Sequence, residues 1–275
     1  MEEKPLLIDV DSVLRDKLKD KYRFVPKFLI NWLRKTVHEE EMNEYLKTHG
    51  TKTNGEFSDA FLKHLNIKVT VKGEENIPAD TRNVIFASNH PLGGLDGIAL
   101  IRLFCNRYGS DRFRFLVNDI LMVLKPYQEI FLPINKHGGQ SRKAVELIDA
   151  AFEGDYAIAT FPAGLCSRNT HGNVIEDLTW QKAFIMKARH YHRDIIPIHF
   201  IGHNSRFFYR LARVRKALHI PFNIEMLYLP DEVFKNRNGE FTVVIGKPIP
   251  WQSLDNSRTP LEWAAHIRSI VYGMN

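Results

Sequence analysis

The segment of this sequence with the clearest chemical content is residues 88–97, which read Ser-Asn-His-Pro-Leu-Gly-Gly-Leu-Asp-Gly. His90 and Asp96 lie six residues apart in it, between a predicted buried strand and a predicted helix. A histidine can take a proton from a substrate, and a neighbouring carboxylate fixes its tautomer and stabilises the imidazolium. Gly93 and Gly94 give the loop the freedom to bring the two side chains together. Spacing alone leaves a second interpretation open, in which His90 ends the strand, Asp96 caps the helix, and they never touch.

Three further segments also combine an apolar run with polar or glycine-containing positions, and one of them has chemical content of its own. Residues 160–168 read Thr-Phe-Pro-Ala-Gly-Leu-Cys-Ser-Arg. Backbone amides around Gly164 can form an anion or oxyanion site with Arg168 nearby, although a plain Pro-Gly turn fits equally well. Residues 129–136 are a strand leading to a polar and basic end, and residues 195–200 are an apolar strand. Neither of these two segments indicates a function by itself.

The hydrophobic pattern around these segments predicts strands that alternate with helices. Strands are predicted at residues 67–71, 83–88, 113–117, 129–134, 156–161, 195–201, 224–229 and 241–245. Helices are predicted at residues 9–20, 27–49, 56–65, 95–108, 141–153, 179–190, 205–218 and 260–272. Such alternation predicts an α/β fold with a mostly parallel central sheet flanked by helices, in which reactive loops follow the carboxyl ends of strands. We therefore expect an N-terminal helical segment over residues 1–66 and an α/β domain over residues 67–275.

Composition excludes several classes of protein. The 275 residues are 44% hydrophobic and 25% charged, which is ordinary globular usage and excludes a disordered chain. Two cysteines, Cys105 and Cys166, exclude a disulfide framework. The longest stretch without a charged residue covers 13 residues, whereas a membrane-spanning helix needs about 20. With no signal-peptide pattern at the N-terminus, the sequence predicts a cytoplasmic protein that is soluble or peripheral. A net charge of +6 suits anionic lipid, a phosphorylated substrate or nucleic acid without selecting one.

Taken together and in order, four blocks resemble the glycerolipid acyltransferase superfamily, which includes the lysophosphatidic acid acyltransferases. The matching blocks are residues 89–96, 130–136, 161–167 and 195–198, and the lead-in at 71–78 and the exit at 244–249 are also similar. The resemblance implies that His90 deprotonates an acceptor hydroxyl while Asp96 orients His90. The hydroxyl then attacks the thioester of acyl-CoA or acyl carrier protein, without a metal or another cofactor. The resemblance also implies substrate-binding roles for Asn89, Asn135, Lys136, Phe161, Pro162, Gly164, Ser167 and Arg168.

Departures from the family's blocks bear on the identity of the acceptor. The spacing from histidine to aspartate is one residue longer than in the family. Asn135 stands where the second block has arginine, with Lys136 next to it. In the third block Ala163 replaces glutamate and Cys166 replaces arginine, although Arg168 lies two residues further on. The family associates those arginines with the acceptor's phosphate, and planar arginine suits a phosphomonoester best. The altered blocks look most like the bacterial hemolysin-type branch, which includes enzymes making ornithine and glycine aminolipids, so we expect a lyso-aminolipid acceptor rather than lysophosphatidic acid.

Two helical segments carry apolar side chains that suit a membrane surface. Residues 205–218 contain no acidic residue and place one set of apolar side chains on a single face, namely Phe207, Leu211, Val214 and Leu218. Residues 27–37 carry Phe28, Trp32 and Leu33. Basic amphipathic helices with aromatic anchors bind anionic membranes, although both segments also fit helices packed on the core. We expect a peripheral protein of the inner membrane with no nucleic-acid partner, because no nucleic-acid-binding motif is present.

Two other functions are compatible with the same sequence. One is a thioesterase or hydrolase of this fold, in which water replaces the acceptor, although no Gly-x-Ser-x-Gly motif supplies a serine nucleophile. The other is a catalytically silent lipid-binding protein, against which the presence of both His90 and Asp96 argues. His199 and His203 are four residues apart but span a predicted strand end, so no metal site is predicted.

Overall fold

A seven-stranded sheet forms the centre of the protein, as expected from the alternation of strands and helices. The computed structural model describes residues 7–134, 142–171 and 174–275. The strands of the sheet are β1 (Lys68–Lys72), β2 (Val84–Ser88), β3 (Phe113–Asn118), β4 (Phe131–Ile134), β5 (Ala157–Thr160), β8 (Asp194–Ile201) and β9 (Glu240–Ile245). They lie in the order β1-β9-β8-β2-β5-β3-β4. Every neighbouring pair is parallel except β8 and β9. The predicted mostly parallel α/β fold with an N-terminal helical segment is therefore confirmed.

Ten α-helices surround the sheet in the described part of the chain. They are α1 (Val10–Leu18), α2 (Lys27–Thr36), α3 (Glu39–His49), α4 (Asn54–His64), α5 (Leu95–Tyr108), α6 (Arg142–Glu153), α7 (Ala183–Tyr191), α8 (Arg206–Ala217), α9 (Leu229–Lys235) and α10 (Pro260–Gly273). No helix within the described residues combines the length and the apolar character needed to cross a bilayer.

The core has two parts, one on each side of the sheet, because successive strand residues point to opposite faces. In β2, Phe86 packs on the side of α4 and α5, whereas Ile85 packs on the side of α6, α7 and α10. Side chains of α3 and α4, such as Tyr45 and Phe61, belong to the same cluster as Phe86. The helices before residue 66 and the sheet thus share one core. The division of the chain into an N-terminal segment and an α/β domain at residue 66 stays a prediction.

The structure corrects two predicted elements. The helix predicted over residues 27–49 is two helices, α2 and α3, because His38 adopts a left-handed conformation with φ of 53°. Contacts distant in sequence hold it there, since His38 stacks on Phe234 and hydrogen-bonds to Asp231. The strand predicted over residues 224–229 is wrong, because Ile224–Tyr228 forms a 3₁₀ helix that leads into α9. Pro230 lies in the first turn of α9, a position where its fixed φ favours helix.

A short antiparallel hairpin beside the main sheet was not predicted from the sequence. It consists of β6 (Arg168–His171) and β7 (Val174–Glu176). The hairpin follows the third block directly, and its first residue is Arg168. It therefore determines where the end of that block lies relative to the rest of the site.

Candidate active site

The topology of the sheet brings the first and third blocks together. β2 and β5 are parallel neighbours, with Ala87 opposite Thr160 near their carboxyl ends. The segments that follow them therefore meet at one edge of the sheet, where the ring of His90 stacks on the ring of Phe161. Their centroids are 3.9 Å apart, and the planes differ by 19°. Phe161 thus packs against a face of the imidazole, while its contact with substrate stays a prediction.

His90 and Asp96 are in direct contact. The imidazole Nδ1 lies 3.0 Å from Oδ2 of Asp96, which is the second residue of α5 and completely buried. The loop turns back through Gly93, whose φ of 72° is strained for any residue with a side chain. The interpretation in which the two side chains never touch is therefore wrong.

The surroundings of Asp96 keep it ionised. Burial alone would raise the pKa of Asp96, but the charge and hydrogen bond of His90 and the backbone amides of Leu92 and Gly97 outweigh burial and lower it. Its place in the first turn of α5 also favours negative charge. An ionised Asp96 accepts a hydrogen bond from Nδ1–H of neutral His90, so Nε2 on the opposite side of the ring carries no proton and can take one. The arrangement therefore suits general-base chemistry.

The third block is folded into a turn that uses part of its hydrogen-bonding capacity. The N–H of Gly164 donates to the carbonyl of Phe161 at 2.9 Å, and Gly164 has φ of 69°. This amide is therefore engaged in the Pro-Gly turn, and an oxyanion role for it stays a prediction. Ser167 is buried, and its N–H donates to the carbonyl of His90 at 2.8 Å. Ser167 thus connects the first and third blocks.

Arg168 is largely enclosed and already has an anionic partner. Its guanidinium donates to the carbonyl of Cys166 at 3.1 Å and lies 3.3 Å from Oε1 of Glu225. Glu225 is fully buried and also accepts from Arg215 of α8 at 2.9 Å. Two guanidinium groups therefore surround one carboxylate, and this cluster carries one net positive charge. The Sγ of Cys166 touches Arg168, but burial raises the pKa of that thiol to about 11, so it is not a nucleophile at neutral pH.

The other predicted substrate-binding residues have varied surroundings. Asn89 is buried, and its side-chain amide donates to the carbonyl of Phe200 and accepts from its N–H, at 2.9 and 2.6 Å. This pairing joins the end of β2 to β8 and favours a structural role, while contact with substrate stays a prediction. Pro162 is buried, and its carbonyl accepts from the N–H of Gln181. Asn135 and Lys136 lie outside the described residues.

Two functional candidates escaped the analysis of the sequence. Asp177 accepts hydrogen bonds from both His90 and Ser167, and Glu225 holds Arg168. Glu225 lies within an apolar run, and an isolated acidic residue there is a signal that could have marked a buried ion pair. Asp177 carries no comparable local signal, because its partners become neighbours only after folding.

Comparison with known proteins identifies the family. A family model described as acyltransferase matches residues 12–274. The chain therefore belongs to the acyltransferase family. The acyltransferase is 48% identical to the lyso-glycine lipid O-acyltransferase of Bacteroides thetaiotaomicron over 266 residues, which cover 97% of each chain. It is 46% identical to the lyso-glycine lipid O-acyltransferase of Phocaeicola vulgatus, over 97% of this chain and 94% of that one.

A solved structure also resembles this acyltransferase. It is the crystal structure of the 1-acyl-sn-glycerophosphate (LPA) acyltransferase PlsC from Thermotoga maritima, with a TM-score of 0.46 and 16% sequence identity. The match covers 90% of this chain and 91% of that one.

Proposed function

We propose that this acyltransferase is a membrane-associated enzyme that transfers a fatty acyl group from a thioester to the hydroxyl of a lyso-glycine lipid. The observation that carries the proposal is the contact between His90 and the buried Asp96 at the carboxyl edge of the sheet. Two relatives that bear the name lyso-glycine lipid O-acyltransferase, each similar along almost the full chain, support the class of acceptor.

In the proposed reaction His90 acts first as a base and then as an acid. Nε2 takes the proton of the acceptor hydroxyl as its oxygen attacks the thioester carbonyl, and Asp96 stabilises the imidazolium that forms. The tetrahedral intermediate then expels the thiolate, which takes the proton from the imidazolium as the ester is released. The donor is acyl-CoA or acyl carrier protein, and the scheme needs neither a metal nor another cofactor.

The charge near the site supports an acceptor with one carboxylate. Arg168, Arg215 and Glu225 together carry one net positive charge, and Arg168 already shares its guanidinium with Glu225. A phosphomonoester carries almost two negative charges and would have to compete with a buried glutamate for that guanidinium. A glycine headgroup offers a single carboxylate and needs less positive charge to bind it, so we favour a lyso-glycine lipid over lysophosphatidic acid.

Both segments that suit a membrane lie on one surface of the protein. The indole N–H of Trp32 in α2 donates to the hydroxyl of Tyr228 at 3.2 Å. Phe207 of α8 packs against the same tyrosine, with the two ring centroids 4.9 Å apart. Phe28, one turn before Trp32, is 68% exposed, and Leu218, at the far end of α8, is 65% exposed. The exposed cations of α8 are Arg206, Arg210, Arg213 and Lys216. This surface of α2 and α8 supports binding to an anionic membrane, for which we propose the cytoplasmic face of the inner membrane.

The test is a transfer assay on anionic vesicles that contain lyso-glycine lipid, with an acyl-CoA or acyl carrier protein thioester as donor. Release of thiol and formation of the diacylated lipid are both measured, for the natural protein, for His90→Ala and for His38→Ala. His38 is the matched control, because its Nε2 lies 3.0 Å from Oδ1 of Asp231. This is the same separation as between His90 and Asp96.

We expect coupled thiol release and product formation, lost by about 10²–10⁴-fold in His90→Ala and retained in His38→Ala. Thiol release that does not need the lyso-lipid would indicate a thioesterase, and no release with either donor would indicate a lipid-binding protein. Competition between the two acceptors tests the headgroup, and a higher kcat/KM for lysophosphatidic acid would overturn the preference for the glycine lipid.

A further inference from the structure

A second buried carboxylate, Asp177, lies behind the loop that carries His90. Asp177 directly follows β7 and is 1% exposed. Its Oδ1 accepts from the backbone N–H of His90 at 3.1 Å and from the hydroxyl of Ser167 at 2.6 Å. Its Oδ2 accepts from the indole N–H of Trp180 at 2.8 Å. One carboxylate thus contacts the first block, the third block and the segment before α7.

We propose that Asp177 is the positioning residue that fixes the backbone of His90 and thereby the direction of its Nε2. This inference rests on the proposed role of His90 as the base. Four groups then hold His90, of which Asp96 and Phe161 contact its ring. Ser167 and Asp177 hold its carbonyl and its N–H, respectively.

The backbone explains why a carboxylate is needed at this place. His90 follows the end of β2, where its N–H has left the ladder of hydrogen bonds between strands. A buried N–H without a partner destabilises the folded state, so an acceptor must be supplied from elsewhere. Asp177 supplies it and binds Ser167 with the same oxygen, so the loops of the first and third blocks are fixed relative to each other.

Asp177 can fix the position of His90 because its own backbone is held by two hydrogen bonds. Its backbone N–H donates to the hydroxyl of Tyr272 at 2.7 Å, and its carbonyl accepts from Arg268 at 2.7 Å. Both residues belong to α10, the last helix of the chain. The C-terminal helix, 91 to 95 residues beyond Asp177, therefore supports the proposed base through a single acidic residue.

Catalysis by a general base depends on this kind of restraint. A displacement of about 1 Å can lower a rate by about 10²-fold. Asp177→Ala should therefore lower kcat by about 10²-fold and leave KM for the lyso-lipid within about threefold. A purely structural role would instead lower stability without a selective effect on kcat.

The matched control is Thr81→Ala. Thr81 is buried to the same degree as Asp177 and donates to the carbonyl of Asp155 at 2.9 Å, but it precedes β2 rather than following it. It therefore lies near the opposite edge of the sheet. Each variant is measured for melting temperature and for kcat and KM in the vesicle assay, alongside His90→Ala. A kcat for Asp177→Ala within about threefold of that for Thr81→Ala would overturn the inference.

A second pair of variants keeps the test decisive if Asp177→Ala does not fold. In Asp177→Asn the NH₂ group of the amide cannot accept a hydrogen bond. It must nevertheless face a donor, either the N–H of His90 or the indole N–H of Trp180. Adding Trp180→Phe removes the indole donor, so the amide oxygen can face His90 and Ser167 without conflict. Because the amide oxygen keeps its contact with the two donors, the double variant should keep kcat within about threefold of that of Trp180→Phe alone, and a kcat about tenfold or more below that of Trp180→Phe would overturn the inference.

The His90→Ala arm separates this inference from the proposed function. Loss of turnover in His90→Ala with a normal kcat in Asp177→Ala would overturn only the role of Asp177. Near-normal turnover in a folded His90→Ala variant would overturn the proposed base itself, and the role of Asp177 with it.

Discussion

Replacing Asp96 by asparagine tests the central pair with almost no change in shape. Among the described residues, Oδ2 of Asp96 accepts from three groups, which are His90 and the backbone amides of Leu92 and Gly93, whereas Oδ1 accepts from Gly97 alone. The oxygen of an asparagine should therefore occupy the side with three donors, and its NH₂ the side with one. His90 keeps its tautomer and orientation in that arrangement. What the variant loses is the negative charge.

The size of the effect follows from that charge. When His90 becomes imidazolium, its charge and that of Asp96 lie about 4 Å apart, and an effective dielectric constant of about 20 gives about 4 kcal/mol. This energy corresponds to a loss of about 10³-fold in kcat, at about 1.4 kcal/mol per factor of ten. If the amide adopts the other orientation, the proton moves to Nε2 and the loss approaches 10⁴-fold.

The assay compares kcat for transfer on vesicles between the natural protein, Asp96→Asn and Asp231→Asn. The last variant is the control, because Asp231 faces His38 at 3.0 Å outside the site and also pairs with Lys235. We expect Asp231→Asn to keep kcat within about threefold. A kcat for Asp96→Asn within about tenfold of the natural value, in protein that melts normally, would refute the electrostatic reasoning.

Three further predictions concern the loop, acid stability and the membrane. Gly93→Ala places a Cβ 2.8 Å from the side chain of Leu229, at a φ of 72°. We therefore expect a loss of about 1–2 kcal/mol in the free energy of unfolding and a lower kcat. The control is Gly273→Ala, whose Cβ meets no atom within 4 Å and which should change neither quantity. Because the folded-state pKa of Asp96 lies below its ordinary value of 3.8, its ionised form stabilises the fold above about pH 4, and this contribution is lost as the pH falls through the folded pKa. The difference in urea stability between the natural protein and Asp96→Asn should accordingly shrink from pH 5 to pH 3, and a constant difference would contradict this reasoning. Replacing Arg206, Arg210 and Arg213 by glutamine should weaken sedimentation with anionic vesicles at low salt, and unchanged binding would place the membrane contact on α2 alone.

Local patterns in the sequence predicted the elements of the site. Continuous apolar runs indicated β2 and β5, and the order of strands and helices indicated a mostly parallel sheet. In such a sheet the carboxyl ends of neighbouring strands share one edge, so both blocks were expected there. His90 and Asp96 are close in sequence, and the glycines between them permitted the contact that the structure has.

Only the tertiary structure decided which partners surround these residues. The predicted strand that contains Glu225 is a 3₁₀ helix, and that side chain lies between two arginines from other elements. Arg168, expected to face substrate, is held by the same glutamate. Asp177 meets His90 across 87 positions of sequence. Strands and caps depend on neighbouring residues, whereas these contacts depend on the packing of the whole chain, for which one sequence contains no local signal.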